Sequence, residues 1–138
     1  MDLMQWLPRY QLGCAPMDDT HREFVDWINR LAQLPDGEFL PQFDAFFAHT
    51  EHHFAQENQW MAESGFPPLH CHVGEHERVL ATLRGLRKMV ERGDVAIGRR
   101  AVEELVGWFD NHAATMDTAL AVHMRNAQYT PTPLTATA

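Results

Sequence analysis

The stretch from residue 53 to residue 76 decides the fold of this chain. It reads His53-Phe54-Ala55-Gln56-Glu57, passes through a break at Gly65-Phe66-Pro67-Pro68, and resumes as His72-Val73-Gly74-Glu75-His76. Four residues turn a helix by roughly 400°, so the first and last residues of each motif lie one turn apart on one face. The stretch therefore predicts a hairpin of two helices, each of which presents two side chains of a type that binds metals.

These donor side chains share their helix faces with apolar residues. The apolar residues are Phe43, Phe46, Phe47, Phe54, Trp60 and Met61 in the helix that contains His53, and Val79, Leu80, Leu83, Leu86 and Val90 in the helix that contains His72. A buried imidazole or carboxylate without a partner is costly in free energy. A lone core histidine usually hydrogen-bonds to a backbone carbonyl, but four donors at two matched spacings favour mutual pairing or a metal.

Composition limits the classes of function that need to be considered. The chain has 138 residues and a formal net charge of -8, which indicates one domain and argues against binding to nucleic acid or anionic membranes. The sequence shows neither a signal peptide nor an apolar run of about 18 residues. We therefore expect a cytoplasmic protein, in which Cys14 and Cys71 are reduced thiols.

The remaining periodicity predicts an all-α protein with an up-down-up-down four-helix bundle. The expected segments are an irregular N-terminal arm over 1–16, helices over about 17–34, 38–64, 69–91 and 95–123, and a flexible tail over 126–138. Residues 1–125 would form the single domain. The tail is rich in Thr and Pro and has no pattern that could form a core.

The first and fourth helices add further donors to their apolar faces. His21 precedes Phe24, Val25 and Ile28 on the first helix, and the fourth helix carries His112 and Asp117. Five residues turn a regular helix by about 500°, which leaves His112 and Asp117 roughly 140° apart. A single wide turn would bring both side chains inward, so we predict a π-type bulge between these two residues.

The complete pattern resembles the bacterial hemerythrins. The residues that carry the resemblance are Trp6, Tyr10, Gly13, Asp18, His21, His53-Phe54, Glu57, Phe66-Pro67, His72, His76, Trp108, His112 and Asp117. The resemblance extends from Trp6 to about Leu120. A single HxxxE or HxxxH motif is weak evidence, whereas this ordered combination is specific.

The resemblance implies a non-haem centre of two iron ions with an oxo or hydroxo bridge. The implied ligands are His72, His76 and His112 on one iron, His21 and His53 on the other, and Glu57 and Asp117 bridging both. The first iron would then be fully coordinated and the second would keep one open position. Imidazole and carboxylate donors suit iron, although donor type alone leaves manganese and zinc as alternatives.

The function implied by the resemblance is reversible binding of dioxygen, for storage, transport or delivery, in a protein that is not an enzyme. An oxygen-consuming protein is the expected partner. Five histidines favour dioxygen binding over the oxygen activation that is typical of carboxylate-rich bundle sites. Two other classes remain open: a sensor of oxygen, nitric oxide or redox state, and a di-iron enzyme that reduces oxygen or peroxide.

Four residues near the ligands have separate interpretations. His49 lies one turn before His53, where the family often has a tyrosine, and we expect it to line the pocket or to hydrogen-bond to a ligand. Trp108 is expected in the core, and a place behind a ligand is the alternative for this residue. Asn58 stands where the family commonly has a second Glu, and we expect it to point away from the centre. Glu75 is interpreted as an ordinary surface charge.

Overall fold

A computed structural model describes residues 2–134, and in that range the chain forms an all-α four-helix bundle, which confirms the predicted fold class. The helical elements are α1 (Ala15–Gln33), α2 (Asp36–Ser64), α3 (Leu69–Glu91), α4 (Val95–His112), a π-type turn (Ala113–Asp117) and α5 (Thr118–Asn126). The last three continue one another and form the fourth rod. Consecutive helices pack side by side, and α4 closes the bundle against α1. None of these helices is long and apolar enough to cross a bilayer.

Short turns hold neighbouring helices antiparallel. After α2, Gly65 adopts a left-handed conformation with φ 69°, and the N–H of Phe66 bonds to the carbonyl of Met61 at 2.9 Å. This is a glycine-based helix stop, in which an unused carbonyl of the last turn finds a donor. Before α4, the Asp94 carboxylate accepts the N–H of Ile97 at 3.2 Å and caps the helix.

Three helix boundaries differ from the expected ones. Helix α1 begins at Ala15 rather than residue 17, and α2 begins at Asp36 rather than residue 38. Pro41 consequently lies inside α2, where it cannot donate to the carbonyl of Gly37; that residue is exposed, so water can supply the missing donor. The fourth rod continues to Asn126 instead of ending at residue 123.

The N-terminal arm packs onto the bundle through specific polar contacts. Its only regular element in the described chain is a 3-10 turn at Pro8–Tyr10. The backbone of Met4 forms two hydrogen bonds with the side-chain amide of Asn29, at 2.8 and 2.7 Å. Buried Tyr10 donates its hydroxyl to Asp110 at 2.8 Å. The arm is therefore tied to both α1 and the fourth rod.

Part of the segment that was expected to be a flexible tail lies against α2. Trp60 donates its indole N–H to the carbonyl of Thr132 at 2.9 Å, and the Gln56 side chain accepts the N–H of Leu134 at 2.9 Å. These contacts place the segment beside α1 as well, because Gln56 also donates to the hydroxyl of Thr20 at 3.1 Å. Residues 135–138, which belong to the same expectation, lie outside the described residues.

The apolar core consists of two clusters separated by a polar layer. The first cluster includes Phe24, Ile28, Leu31, Phe39, Phe43, Phe46, Leu83 and Phe109, and the second includes Met17, Trp60, Met61, Phe66, Leu120 and Met124. Along every helical rod, the metal-type donors stand between residues of the first cluster and residues of the second. The donors thus occupy the middle of the bundle.

Gly98 on α4 lies close to two side chains of the first cluster, and this close approach predicts the effect of a substitution there. A Cβ atom at Gly98 would lie 2.7 Å from Phe39 Cε1 and 2.8 Å from Val90 Cγ2, and both of these side chains are buried. Gly98→Ala should therefore lower the free energy of unfolding by ~1–3 kcal/mol, even though alanine favours helix by ~1 kcal/mol. Guanidinium chloride unfolding measures the difference.

Gly107→Ala in the same helix is the matched control. Gly107 is exposed, and a Cβ there meets nothing within 4 Å. Only helix propensity should act at this position, so the variant should be more stable by ~0.5–1 kcal/mol. Equal changes in unfolding free energy for the two variants would contradict the close packing at Gly98.

Candidate metal centre

Seven side chains from all four rods converge in the polar layer, and each is at most 2 % exposed. Their ligand atoms form two groups within 4.8 Å: Glu57, His72, His76, His112 and Asp117 in one, and His21, His53 and Glu57 in the other. The structure thus brings together every residue of the predicted ligand set. One carboxylate belongs to both groups.

Glu57 lies between the two groups. Its Oε2 atom is 3.0 Å from His53 Nε2 and 3.5 Å from His21 Nε2. Its Oε1 atom is 3.2 Å from His76 Nε2 and 3.5 Å from His72 Nε2. Each carboxylate oxygen therefore faces a different set of imidazoles, which is the arrangement that a bridging ligand requires.

Asp117 has the same relation to the two groups. Its Oδ1 atom is 3.1 Å from the Nε2 atoms of both His72 and His112, and its Oδ2 atom is 3.0 Å from His21 Nε2. Two carboxylates, one from α2 and one from the fourth rod, thus connect the histidine sets.

The π-type turn at Ala113–Asp117 points both His112 and Asp117 inward, which confirms the predicted bulge. Both the backbone N–H and the hydroxyl of Thr118 donate to the carbonyl of Ala113, five residues earlier. The extra residue in this turn takes up the angle that would separate the two donors on a regular helix.

The electrostatics of the layer favour positive charge between the carboxylates. Burial and the charge of Glu57 raise the pKa of Asp117, but His112 and His21 outweigh both and hold it far below its usual range. Burial lowers the pKa of His21, yet Asp117 and Glu57 raise it to about 10. The same opposing effects raise the pKa of His72 to about 9. Without a metal, protons on imidazoles thus balance the buried carboxylates.

Several buried nitrogen and oxygen atoms of the predicted metal ligands have no hydrogen-bond partner. Among the Nε2 and carboxylate oxygen atoms of the seven side chains, they are His21 Nε2, His76 Nε2, Glu57 Oε1, Asp117 Oδ1 and Asp117 Oδ2. His21 Nε2 approaches Asp117 Oδ2 to 3.0 Å but is not aligned with it as a donor. Atoms that crowd together and direct their lone pairs at common points are arranged for cations rather than for one another. The mixture of imidazole and carboxylate fits a first-row transition metal such as iron.

Asn58 contacts a predicted ligand, so the expectation that it points away from the centre is wrong. The Nδ1–H group of His76 donates to Asn58 Oδ1 at 2.9 Å. This hydrogen bond leaves Nε2 as the lone-pair atom that faces the carboxylates and fixes the orientation of the ring. Asn58 reaches His76 because it lies on the side of α2 that packs against α3, which sequence periodicity does not reveal.

Trp108 and Glu75 lie together behind His112. The Trp108 ring stacks on the His112 ring with centroids 4.5 Å apart and planes 19° apart. Its indole N–H donates to Glu75 Oε1 at 3.0 Å, and this oxygen is also 3.5 Å from His112 Nδ1. The interpretation of Glu75 as an ordinary surface charge is therefore wrong. Its side chain is only 21 % exposed and reaches from α3 to a donor on α4.

His49 lines the centre but does not hydrogen-bond to a ligand. Its ring stands edge-on to His53 with centroids 6.3 Å apart. Its Nε2 atom pairs with Glu23 Oε2 at 3.0 Å, on the outer side of α1. Of the two expectations for this residue, lining the pocket describes its position and bonding to a ligand does not.

Aromatic rings cover the histidines that carry no polar partner behind them. Phe109 meets His21 edge-on at a centroid distance of 5.0 Å, and Phe24 meets His53 at 6.2 Å. Phe24 and Phe109 stack on each other at 4.8 Å. This side of the centre is thus enclosed by apolar groups that exclude water.

Known proteins that are similar to this chain in sequence or in fold belong to one family. The family model described as "Hemerythrin HHE cation binding domain" matches residues 14–122. The bacteriohemerythrin of Ralstonia nicotianae is 46 % identical over 117 residues, which cover 85 % of each chain. That of Stenotrophomonas maltophilia is 27 % identical over 88 % of this chain and 81 % of the relative. A crystal structure of a hemerythrin variant superposes with a TM-score of 0.82 at 23 % identity, and covers 89 % of this chain and 98 % of its own.

A helical bundle with a buried cluster of histidines and carboxylates defines a class of metal-binding proteins. Within that class, the match over most of its length shows that the chain belongs to the hemerythrin family.

Metal loading should release protons from this centre. At about pH 8, His21 and His72 are protonated in the metal-free protein, because their pKa values are about 10 and about 9. A histidine must be neutral to bind a metal, so addition of zinc should release about two protons per chain. An indicator dye in weak buffer measures the release, and the release should decrease as the pH rises through about 9 and then about 10, where His72 and His21 lose their protons in the metal-free protein.

His70→Gln is the control for this measurement, because His70 is exposed and lies outside the cluster. Its proton release should equal that of the parent chain. A release that does not change between about pH 8 and about pH 10.5 would show that the raised pKa values are not the source of the protons.

Proposed function

We propose that this protein binds dioxygen reversibly at a non-haem di-iron centre built from His21, His53, Glu57, His72, His76, His112 and Asp117. The observation that supports the proposal is the unequal division of imidazoles between the two shared carboxylates. Three histidines surround one side and two surround the other. With Glu57, Asp117 and an oxo or hydroxo group shared, the three-histidine side provides six ligands and the two-histidine side provides five.

The residues around the smaller set favour binding of a small apolar molecule. His21 and His53 would hold their metal beside the stacked rings of Phe24 and Phe109, which contact both imidazoles and exclude water. Two ferrous ions held by these residues would supply the two electrons and the open coordination position that reversible dioxygen binding requires. A dry, apolar wall limits the escape of reduced oxygen and the entry of protons.

Storage, transport or delivery of oxygen in the cytoplasm is the use that we propose, with an oxygen-consuming protein as the recipient. An enzyme that reduces oxygen or peroxide needs a route for protons to the centre. His49 is the residue nearest to such a route, but its polar partner is Glu23 and its contact with His53 is only edge-on. This geometry favours binding over turnover.

An oxygen titration of the reduced protein tests the proposal. The chain is loaded with two ferrous ions under anaerobic conditions and then titrated with dioxygen, followed by ultraviolet-visible absorption. A ligand-to-iron charge-transfer band should appear with one dioxygen per two irons and should disappear on degassing. Irreversible oxidation to the ferric state with release of reduced oxygen would instead favour the enzyme or redox-sensor alternative.

Two adjacent histidines provide a matched pair for the ligand assignment. His53 is buried in the smaller group, whereas His52 is partly exposed and outside it. His53→Ala should lower the iron content from about two ions to about one per chain and abolish oxygenation, because a buried ligand is lost. His52→Ala should keep the parent iron content. Full iron content in His53→Ala would remove this residue from the ligand set.

A further inference from the structure

The five imidazoles of the centre differ in what lies behind the Nδ1 atom. His112 Nδ1 faces the carboxylate of Glu75 at 3.5 Å, and His76 Nδ1 faces the neutral amide of Asn58 at 2.9 Å. Within the described residues, the Nδ1 atoms of His21, His53, His72 and His112 form no hydrogen bond, but that of His112 differs from the other three because it lies 3.5 Å from a carboxylate oxygen. The structure therefore provides one ring of the larger histidine set with a negatively charged neighbour.

Two side chains fix the position of this carboxylate. Trp108 donates its indole N–H to Glu75 Oε1 at 3.0 Å, and Arg78 approaches Glu75 Oε2 at 3.3 Å. Trp108 lies one turn before His112 on α4 and stacks on its ring. The same tryptophan thus sets both the face of the imidazole and the place of the oxygen beside its Nδ1 atom.

The contact between Glu75 and His112 is electrostatic in this structure. At 3.5 Å it is longer than a good hydrogen bond, and such contacts commonly shorten when a site is fully assembled. Glu75 is 21 % exposed, whereas the His112 side chain is 2 % exposed. Partial removal from water makes a charge next to a buried ring more effective than it would be at an open surface.

We propose that Glu75, positioned by Trp108, tunes the metal that His112 binds by making this imidazole a stronger donor and by favouring the ferric ion. A carboxylate that accepts the Nδ1–H of a ligating histidine increases the basicity of the ring and orients it. Its negative charge also stabilises the higher charge of a ferric ion relative to a ferrous ion. The inference rests on the proposed di-iron centre.

This arrangement makes the two metal positions electronically unequal. Dioxygen binding would draw one electron from each of two ferrous ions, and His72, His76 and His112 would hold the ion that has no open position for dioxygen. Glu75 would favour loss of the electron from that position, whereas the Nδ1 atoms of His21 and His53 have no hydrogen-bond partner in the described part of the chain. Glu75 thereby supports dioxygen binding at the other metal without contacting dioxygen.

Three variants separate tuning from structural support. Glu75→Gln removes the charge and keeps the size of the side chain, and Trp108→Phe keeps the aromatic stack but removes the N–H that holds Glu75. Glu104→Gln is the control. Glu104 is an exposed carboxylate on α4, and it lines a groove between α3 and α4 that Glu75 and Trp108 also line. Each full-length variant is loaded once with zinc and once with iron.

The zinc-loaded proteins report on the ligand without any redox chemistry. In Glu75→Gln, transfer of zinc to a chelator should be ~10–100-fold faster than in the parent, and the ¹⁵N resonance of His112 Nδ1 should shift. In the iron-loaded proteins, the midpoint potential of Glu75→Gln should rise, by ~59 mV for each tenfold loss of preference for the ferric ion. Trp108→Phe should change each quantity in the same direction by a smaller amount, and Glu104→Gln should match the parent.

The outcomes distinguish this inference from the proposed function. A Glu75→Gln protein with the potential and the His112 resonance of the parent overturns the inference, and so does a change in zinc transfer without a change in potential. Equal shifts of the midpoint potential in Glu75→Gln and Glu104→Gln also overturn it, because they would show that any negative charge in this groove has the same effect. Failure of the parent chain to oxygenate reversibly contradicts the proposed function, while the zinc measurements still decide whether Glu75 acts on His112.

Discussion

Two carboxylates with no exposure to water, Glu57 and Asp117, set the conditions for the rest of the structure. An ionised carboxylate in a protein interior is very costly unless positive charge and hydrogen-bond donors surround it. Five imidazoles provide those surroundings, and with protons alone they require strongly shifted pKa values. Metal ions supply the same charge and also occupy the lone pairs that have no hydrogen-bond partner. The polar layer therefore requires cations at the middle of the bundle.

This requirement for buried cations explains features of the fold that apolar packing alone would not produce. The layer divides the core into two apolar clusters, so every rod must change from apolar to ligating residues and back again. A regular fourth helix would turn one of its two donors away, and the π-type turn at Ala113–Asp117 gives up one regular turn to keep both inside. Metals bound there would cross-link all four rods, which couples metal content to stability.

The two sides of the layer are unequal in ligand number and in surroundings. Three histidines form one side, with Glu75, Trp108 and Asn58 behind two of them. The other side has two histidines under stacked phenylalanine rings. In the proposed centre, one side would hold and tune a metal, and the other would offer an open position in a water-excluding pocket. The proposed dioxygen binding follows from this division of roles, together with membership of the hemerythrin family.

The sequence by itself determined those features of the site that depend on residue spacing within a single helix. The four-residue spacings of His53 with Glu57 and of His72 with His76 place these donors on inward faces, and the spacing of His112 and Asp117 predicts the π-type turn. Only the tertiary structure decided that Asn58 meets His76 and that Glu75 meets His112. It also decided that residues 132–134 lie against α2. Periodicity fixes the direction of a side chain from its own helix axis. Its partner on another helix depends on the rotation and spacing of the packed rods, which only the assembled core sets.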